Sequence, residues 1–112
     1  MEITTERRGE IAIVAIAGSV DGLTAASLVR SFRDLVDGGV VRIVGDMSAV
    51  DYTSSAGLRA LLETVKETRQ RGGDLRLAAV RLEVFRVLEL AGFTSIMKLY
   101  PDRDAAIASF GS

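Results

Sequence analysis

The chain has no cysteine and no histidine, and these two absences limit the kinds of catalytic and metal-binding site that it can form. Without cysteine there is neither a disulfide framework nor a thiol nucleophile, and a reducing compartment fits the composition. Without histidine the chain lacks the commonest general base and the commonest nitrogen ligand for metals. We therefore expect no catalytic residue, no metal site and no bound cofactor.

An excess of one charge and a long apolar run are also missing. The chain carries 14 Lys and Arg against 15 Asp and Glu, which gives a net charge of −1 at pH 7. It therefore lacks the excess of basic residues that is typical of nucleic-acid-binding proteins. The longest early apolar run, residues 11–17, is far shorter than the roughly 20 residues that a membrane helix needs. The charged N-terminus has no apolar signal core. These features predict a soluble, cytoplasmic protein without a membrane span or direct nucleic-acid contact.

What is present fits one folded domain over residues 1–112. The composition, 48% hydrophobic and 26% charged, is that of a globular protein able to bury a core. Short β-branched runs alternate with apolar residues at helical spacing. They predict strands at 3–5, 11–17, 40–44, 75–80 and 93–99, and helices at 24–37, 56–71, 84–91 and 101–110. This order, with helices between successive strands, predicts an α/β fold with parallel strands.

The segment 50–58 marks the junction between the third strand and the second helix. Two hydroxyl residues, Ser54 and Ser55, stand at this junction and are followed by the small residues Ala56 and Gly57. A helix start carries unpaired N–H groups and the positive end of the helix dipole. A serine here is therefore a helix cap, an anion site or a target for modification.

The sequence around this junction resembles a known family. Residues 46–59, Asp-Met-Ser-Ala-Val-Asp-Tyr-Thr-Ser-Ser-Ala-Gly-Leu-Arg, are similar to the core signature of the STAS family, and more narrowly to bacterial anti-sigma factor antagonists. Residues 18–21, 71–75 and 87–93 match further family motifs in the same order. The resemblance covers nearly the whole chain. It implies the STAS fold, a mixed sheet of about five strands with about four helices packed mainly on one side.

The resemblance also implies a partner-switching role. Antagonists of this kind bind an anti-sigma factor that is itself a serine kinase, and phosphorylation at the start of the second helix breaks the complex until a phosphatase restores it. The family's acceptor often stands immediately before the glycine, where this chain has Ala56. In the Ser-Ala-Gly-Leu variant the acceptor is the preceding serine, which maps onto Ser55. Ser55 is thus the preferred phosphorylation site and Ser54 the alternative.

Several residues are candidates for binding the partner. The resemblance places Asp21 near the serine, while Arg59 lies one position off the apolar stripe of the helix and faces solvent or the partner. The full predicted set is Asp21, Ser54, Ser55, Ala56, Gly57 and Arg59. Each has a structural alternative: an aspartate before a helix caps it or forms an Asx turn, and small residues allow close packing against the sheet.

Two other aspartates raise the question of an enzyme. Asp46 and Asp51 could, together with Asp21, supply oxygen ligands for Mg²⁺ near the serines. No set of nucleophile, base and orienting residue can be assembled, however, so we expect no enzyme activity. Asp46 is expected to form a turn, and Asp51 to be a solvated loop charge rather than to position a serine hydroxyl.

Two further functions remain open. One is a STAS scaffold or ligand-binding module that is never phosphorylated, which Ala56 and the serine at position 54, where the family has aspartate, favour. The other is a component of a lipid-transport complex. A neighbouring gene for a kinase, a sigma factor or a transporter would discriminate among these.

Overall fold

The computed structural model describes residues 1–111, and the last residue of the predicted domain, Ser112, lies outside the described residues. The strands are β1 (Glu2–Arg8), β2 (Ile11–Val20), β3 (Arg42–Thr53), β4 (Asp74–Ala78) and β5 (Leu99–Tyr100). The helices are α1 (Ala25–Asp37), α2 (Ser55–Gln70), α3 (Leu82–Leu90) and α4 (Arg103–Ser109), and a 3₁₀ turn spans Phe93–Ser95.

The five strands form one mixed sheet in the order β1-β2-β3-β4-β5. Strand β1 is antiparallel to β2, and each later neighbouring pair is parallel. Parallel pairs need a crossover connection, and α1, α2 and α3 supply those connections. The predicted α/β fold, with about five strands and four helices, is confirmed.

The sheet is covered on both faces, which explains the apolar run in β2. Val14 and Ile16 point into the larger core, which they share with buried residues of α1, α2 and α3. Ile11 and Ile13 point to the opposite face and pack with Ala106 of α4. Because successive side chains of a strand alternate between faces, a strand covered on both sides is apolar throughout.

The predicted strand at 93–99 is wrong over most of its length. Gly92 adopts a left-handed φ of 79°, and the N–H groups of Ile96 and Met97 both donate to the carbonyl of Phe93. These local bonds close a turn, so only Leu99–Tyr100 reaches the sheet. The last helix also begins later than predicted, because Asp102 caps it by accepting the N–H of Ala105 at 2.8 Å.

Strand β3 is longer than predicted and contains two bulges. The sequence predicts its end at residue 44, whereas the strand continues to Thr53. Between Ala15 and Ala17 of β2, β3 advances by three residues instead of two, and between Gly18 and Ser19 it advances by two instead of one. Each extra residue is characteristic of a β-bulge, which bends a strand and re-aims its side chains.

Asp46 lies at the first bulge and not in a turn, which corrects the prediction. Its Oδ1 accepts a hydrogen bond from the N–H of Ser48 at 3.0 Å, and its Oδ2 accepts one from Nη2 of Arg103 at 2.8 Å. Burial opposes the charged carboxylate, but the bonds from Ser48 and Arg103 outweigh it and hold the pKa of Asp46 below its ordinary value. Arg103 also pairs with Glu6 at 2.6 Å, so this cluster joins α4 to β3 and β1.

Candidate functional site

The candidate site lies where β2 and β3 end and α2 begins. Val20 pairs with Thr53 in the last register of these strands, and the N–H of Ser54 then donates to the carbonyl of Val20 at 2.7 Å. Helix α2 starts at the next residue. The end of β2 therefore fixes the position from which α2 leaves the sheet.

The two serines at this junction have different surroundings. Ser54 has extended backbone angles, and its half-buried Oγ accepts the N–H of Gly57 at 3.2 Å, which makes it the N-cap of α2. Ser55 is the first helical residue, is exposed, and makes no side-chain hydrogen bond within residues 1–111. One hydroxyl is thus used by the helix and the other faces solvent.

Gly57 allows the first turn of α2 to rest directly on the strand ends. A Cβ placed on Gly57 would collide with Oγ1 of Thr53 and would lie 2.8 Å from Cγ1 of Val20. Carbon atoms in proteins do not approach so closely without displacement of a neighbour. Ala56 is partly buried against the same core. Close packing therefore accounts for both small residues, and it leaves Ser55 on the outer side.

Asp21 shapes the loop that leads from β2 to α1. Its Oδ1 accepts the N–H groups of Leu23 and Thr24, each at 2.9 Å, and the hydroxyl of Thr24 at 3.1 Å. The bonds from Thr24 hold the pKa of Asp21 below its ordinary value, so the exposed side chain is a carboxylate at neutral pH. Asp21 thus forms an Asx turn, which is one of the structural roles that the sequence predicts for it.

Asp51 is the extra residue at the second bulge of β3, and its predicted place in a loop is wrong. Its Oδ1 accepts the hydroxyl of Ser19 at 2.9 Å, so it positions a serine of β2 and not one of the two serines at α2. Ser19 is not among the residues predicted from the sequence to form the site. Its only signal is its place beside Gly18 at the predicted end of the strand.

The three aspartates do not form a shared site. Asp21 bonds to its own loop, Asp46 to Arg103 and Asp51 to Ser19. Within residues 1–111 no three acidic side chains converge as metal ligands.

In the same part of the chain, none of the helices has the length and apolar character needed to cross a membrane.

Exposed residues of both polar and apolar type lie in the two segments that meet at this junction. Leu23 is 88% exposed and Tyr52 is 53% exposed, which is high for large apolar side chains. Arg59 is exposed one helical turn beyond Ser55. We call the exposed side chains of Asp21, Leu23, Tyr52, Ser55 and Arg59 the α2 entry surface.

A family model described as the STAS domain matches residues 2–106. The chain belongs to the STAS domain family. Among its relatives, BtrV of Bordetella bronchiseptica, provisionally named an anti-sigma factor antagonist, is 36% identical over 110 residues, covering 98% of this STAS chain and 95% of BtrV.

Solved structures agree with this assignment. The crystal structure of an anti-sigma factor antagonist from Mycobacterium paratuberculosis superposes with a TM-score of 0.84 at 26% identity, covering 96% of this chain and 92% of that one. The phosphorylated form of the Bacillus protein SpoIIAA superposes with a TM-score of 0.78 at 14% identity, covering 97% and 99%. The second likeness shows that a phosphorylated protein has the same fold as this STAS domain.

The different surroundings of the two serines predict different effects on stability. Ser54→Ala removes the cap of α2 and should lower the free energy of unfolding by about 1 kcal/mol. Ser55→Ala, the matched control, removes an exposed hydroxyl and should change it by less than about 0.5 kcal/mol. Urea unfolding of both variants measures the difference, and a larger loss from Ser55→Ala than from Ser54→Ala contradicts the assigned cap.

The contact at Gly57 predicts that a single methyl group is destabilising. Alanine is ordinarily favoured over glycine in a helix by about 1 kcal/mol. Gly57→Ala should nevertheless cost about 1–3 kcal/mol, because the core at Thr53 and Val20 must shift. Gly22→Ala is the control, since its Cβ meets no atom within 4 Å. Equal melting of the Gly57→Ala variant and the unmodified protein would show that the first turn of α2 is loosely packed.

Proposed function

We propose that this STAS protein is an anti-sigma factor antagonist that binds an anti-sigma factor serine kinase and is released by phosphorylation of Ser55. One observation carries the choice of residue. Ser55 is exposed at the start of α2 and makes no side-chain hydrogen bond to the described residues, whereas the hydroxyl of Ser54 accepts a helix N–H group. A kinase needs a hydroxyl that can enter its active site and attack the γ-phosphoryl group of ATP.

The position of Ser55 suits a switch that acts on the surface and preserves the fold. A phosphate adds about −1.5 to −2 charges at pH 7. At the first turn of a helix, this charge interacts favourably with unpaired N–H groups and with the helix dipole. Because Ser55 contributes no side-chain bond within residues 1–111, its modification breaks no contact there.

The α2 entry surface offers a partner both apolar and charged contacts. Leu23 and Tyr52 supply exposed apolar area, of the kind that forms the centre of protein interfaces. A phosphate on Ser55 at this edge would have to be desolvated when the partner binds. Burying an unpaired charge in an interface costs several kcal/mol, which is enough to break a complex of ordinary affinity.

The relatives support the same function without testing it in this chain. BtrV carries the provisional name of an anti-sigma factor antagonist. SpoIIAA has been solved in a phosphorylated form, so a STAS fold accommodates a phosphate. ATP, Mg²⁺ and the transfer chemistry belong to the kinase, and a serine phosphatase would return the antagonist to its binding form.

The rival function is a STAS scaffold that is never phosphorylated. Ala56 favours it, because this residue stands where the family signature often has its acceptor hydroxyl. Ser54 favours it too, since the signature commonly has aspartate at that place. Under this rival function, the exposed hydroxyl of Ser55 is only a polar surface group of a permanent interface.

The direct test is to incubate the protein with an anti-sigma factor serine kinase from the same organism and Mg·ATP, and to map phosphate by mass spectrometry. We expect one phosphate per chain, on Ser55, because its hydroxyl is the accessible one. Ser55→Ala should abolish incorporation. Ser54→Ala is the matched control and should still be phosphorylated, since it loses a cap and keeps the acceptor.

Two results would overturn the proposal. Phosphate that persists in Ser55→Ala would place the acceptor elsewhere. No incorporation into the unmodified protein, with a kinase that is active on another substrate, would favour the scaffold function.

A further inference from the structure

Arg59 lies one helical turn after Ser55 on α2. Residues four apart on a helix lie on the same side, with Cβ atoms about 5–6 Å apart. Both side chains are exposed. Within residues 1–111 Arg59 forms no ion pair, whereas Arg69 of the same helix and Arg71 at its C-cap each bind a carboxylate. The guanidinium of Arg59 is therefore available to a group placed on Ser55.

On α2, Arg59 is the cation nearest to Ser55 in the sequence. It is the only charged residue in the first two turns of α2, residues 55–62. Lys66 lies 11 residues beyond Ser55, about 16 Å along the helix axis. The carboxylates at the same edge, Asp21 and Asp51, already accept hydrogen bonds, and their charge repels a phosphate.

We propose that Arg59 binds the phosphate of phosphorylated Ser55, so that phosphorylation withdraws this cation from the partner. The inference rests on the proposed function of Ser55. In the unmodified protein, Arg59 offers the partner an unpaired positive charge, which fits a carboxylate on the partner's surface. In the phosphorylated protein, the first two turns of α2 carry about one net negative charge instead.

The order of the two groups along the helix favours this ion pair. An anion placed four residues before a cation is the better arrangement on a helix. The phosphate on Ser55 would also lie at the positive end of the dipole of α2. The planar guanidinium of arginine can donate two parallel hydrogen bonds to one phosphate. Glu63 lies four residues after Arg59, which is the less favourable order for an ion pair, and within residues 1–111 the two side chains form none.

The test uses protein in which phosphoserine is installed at position 55 during translation, so that no kinase is needed. The second pKa of the phosphate is followed by ³¹P NMR titration. A cation at about 5 Å stabilises the dianion, so Arg59→Gln should raise this pKa by about half a unit. Lys66→Gln is the control and should leave it unchanged, because Lys66 is too distant. An unchanged pKa in Arg59→Gln, or an equal rise in Lys66→Gln, overturns the proposal.

The outcome separates this inference from the proposed function. If no kinase phosphorylates Ser55, the proposed function fails, while the NMR titration still reports whether Arg59 binds a phosphate there. If Ser55 is phosphorylated by the kinase and the pKa is the same with Arg59 or glutamine, the proposed function stands and Arg59 has no part in the switch.

Discussion

The direct contact between the first turn of α2 and the ends of β2 and β3 is the constraint on which the rest of the site depends. Gly57 has no side chain, so Thr53 and Val20 fill the space that a Cβ would take. The backbone bond from Ser54 to Val20 fixes the chain just before this contact. With its inner side held in this way, the helix can only present Ser55 outward.

The bulges of β3 prepare this contact. At each bulge β3 contains one more residue than the facing segment of β2. The strand therefore bends while it remains paired with β2 up to Thr53. A carboxylate stabilises each irregular place: Asp46 accepts the N–H of Ser48, and Asp51 accepts the hydroxyl of Ser19. These aspartates thus have a structural role at the two bulges, ahead of the junction where α2 leaves the sheet.

Much of this arrangement could be predicted from local patterns in the sequence. The apolar stripe of α2 predicts its extent, and the order of strands and helices predicts an α/β fold with parallel strands. The bulges could not be predicted, because an extra residue in a strand interrupts the alternation that identifies it. The same holds for the ion pair between Asp46 and Arg103, which joins residues that are distant in sequence. The exposed Ser55 could be proposed from the family signature, but the capping role of Ser54 depends on its backbone geometry.

The central claim is that phosphorylation of Ser55 changes a binding surface and leaves the fold as it is. Amide hydrogen exchange of the unmodified and the Ser55-phosphorylated protein, each without a partner, tests this most directly. We expect altered exchange only in the junction 50–59, with unchanged protection in the centres of β2, β3 and α2. Loss of protection in those central segments would contradict it, because the switch would then act by loosening the domain.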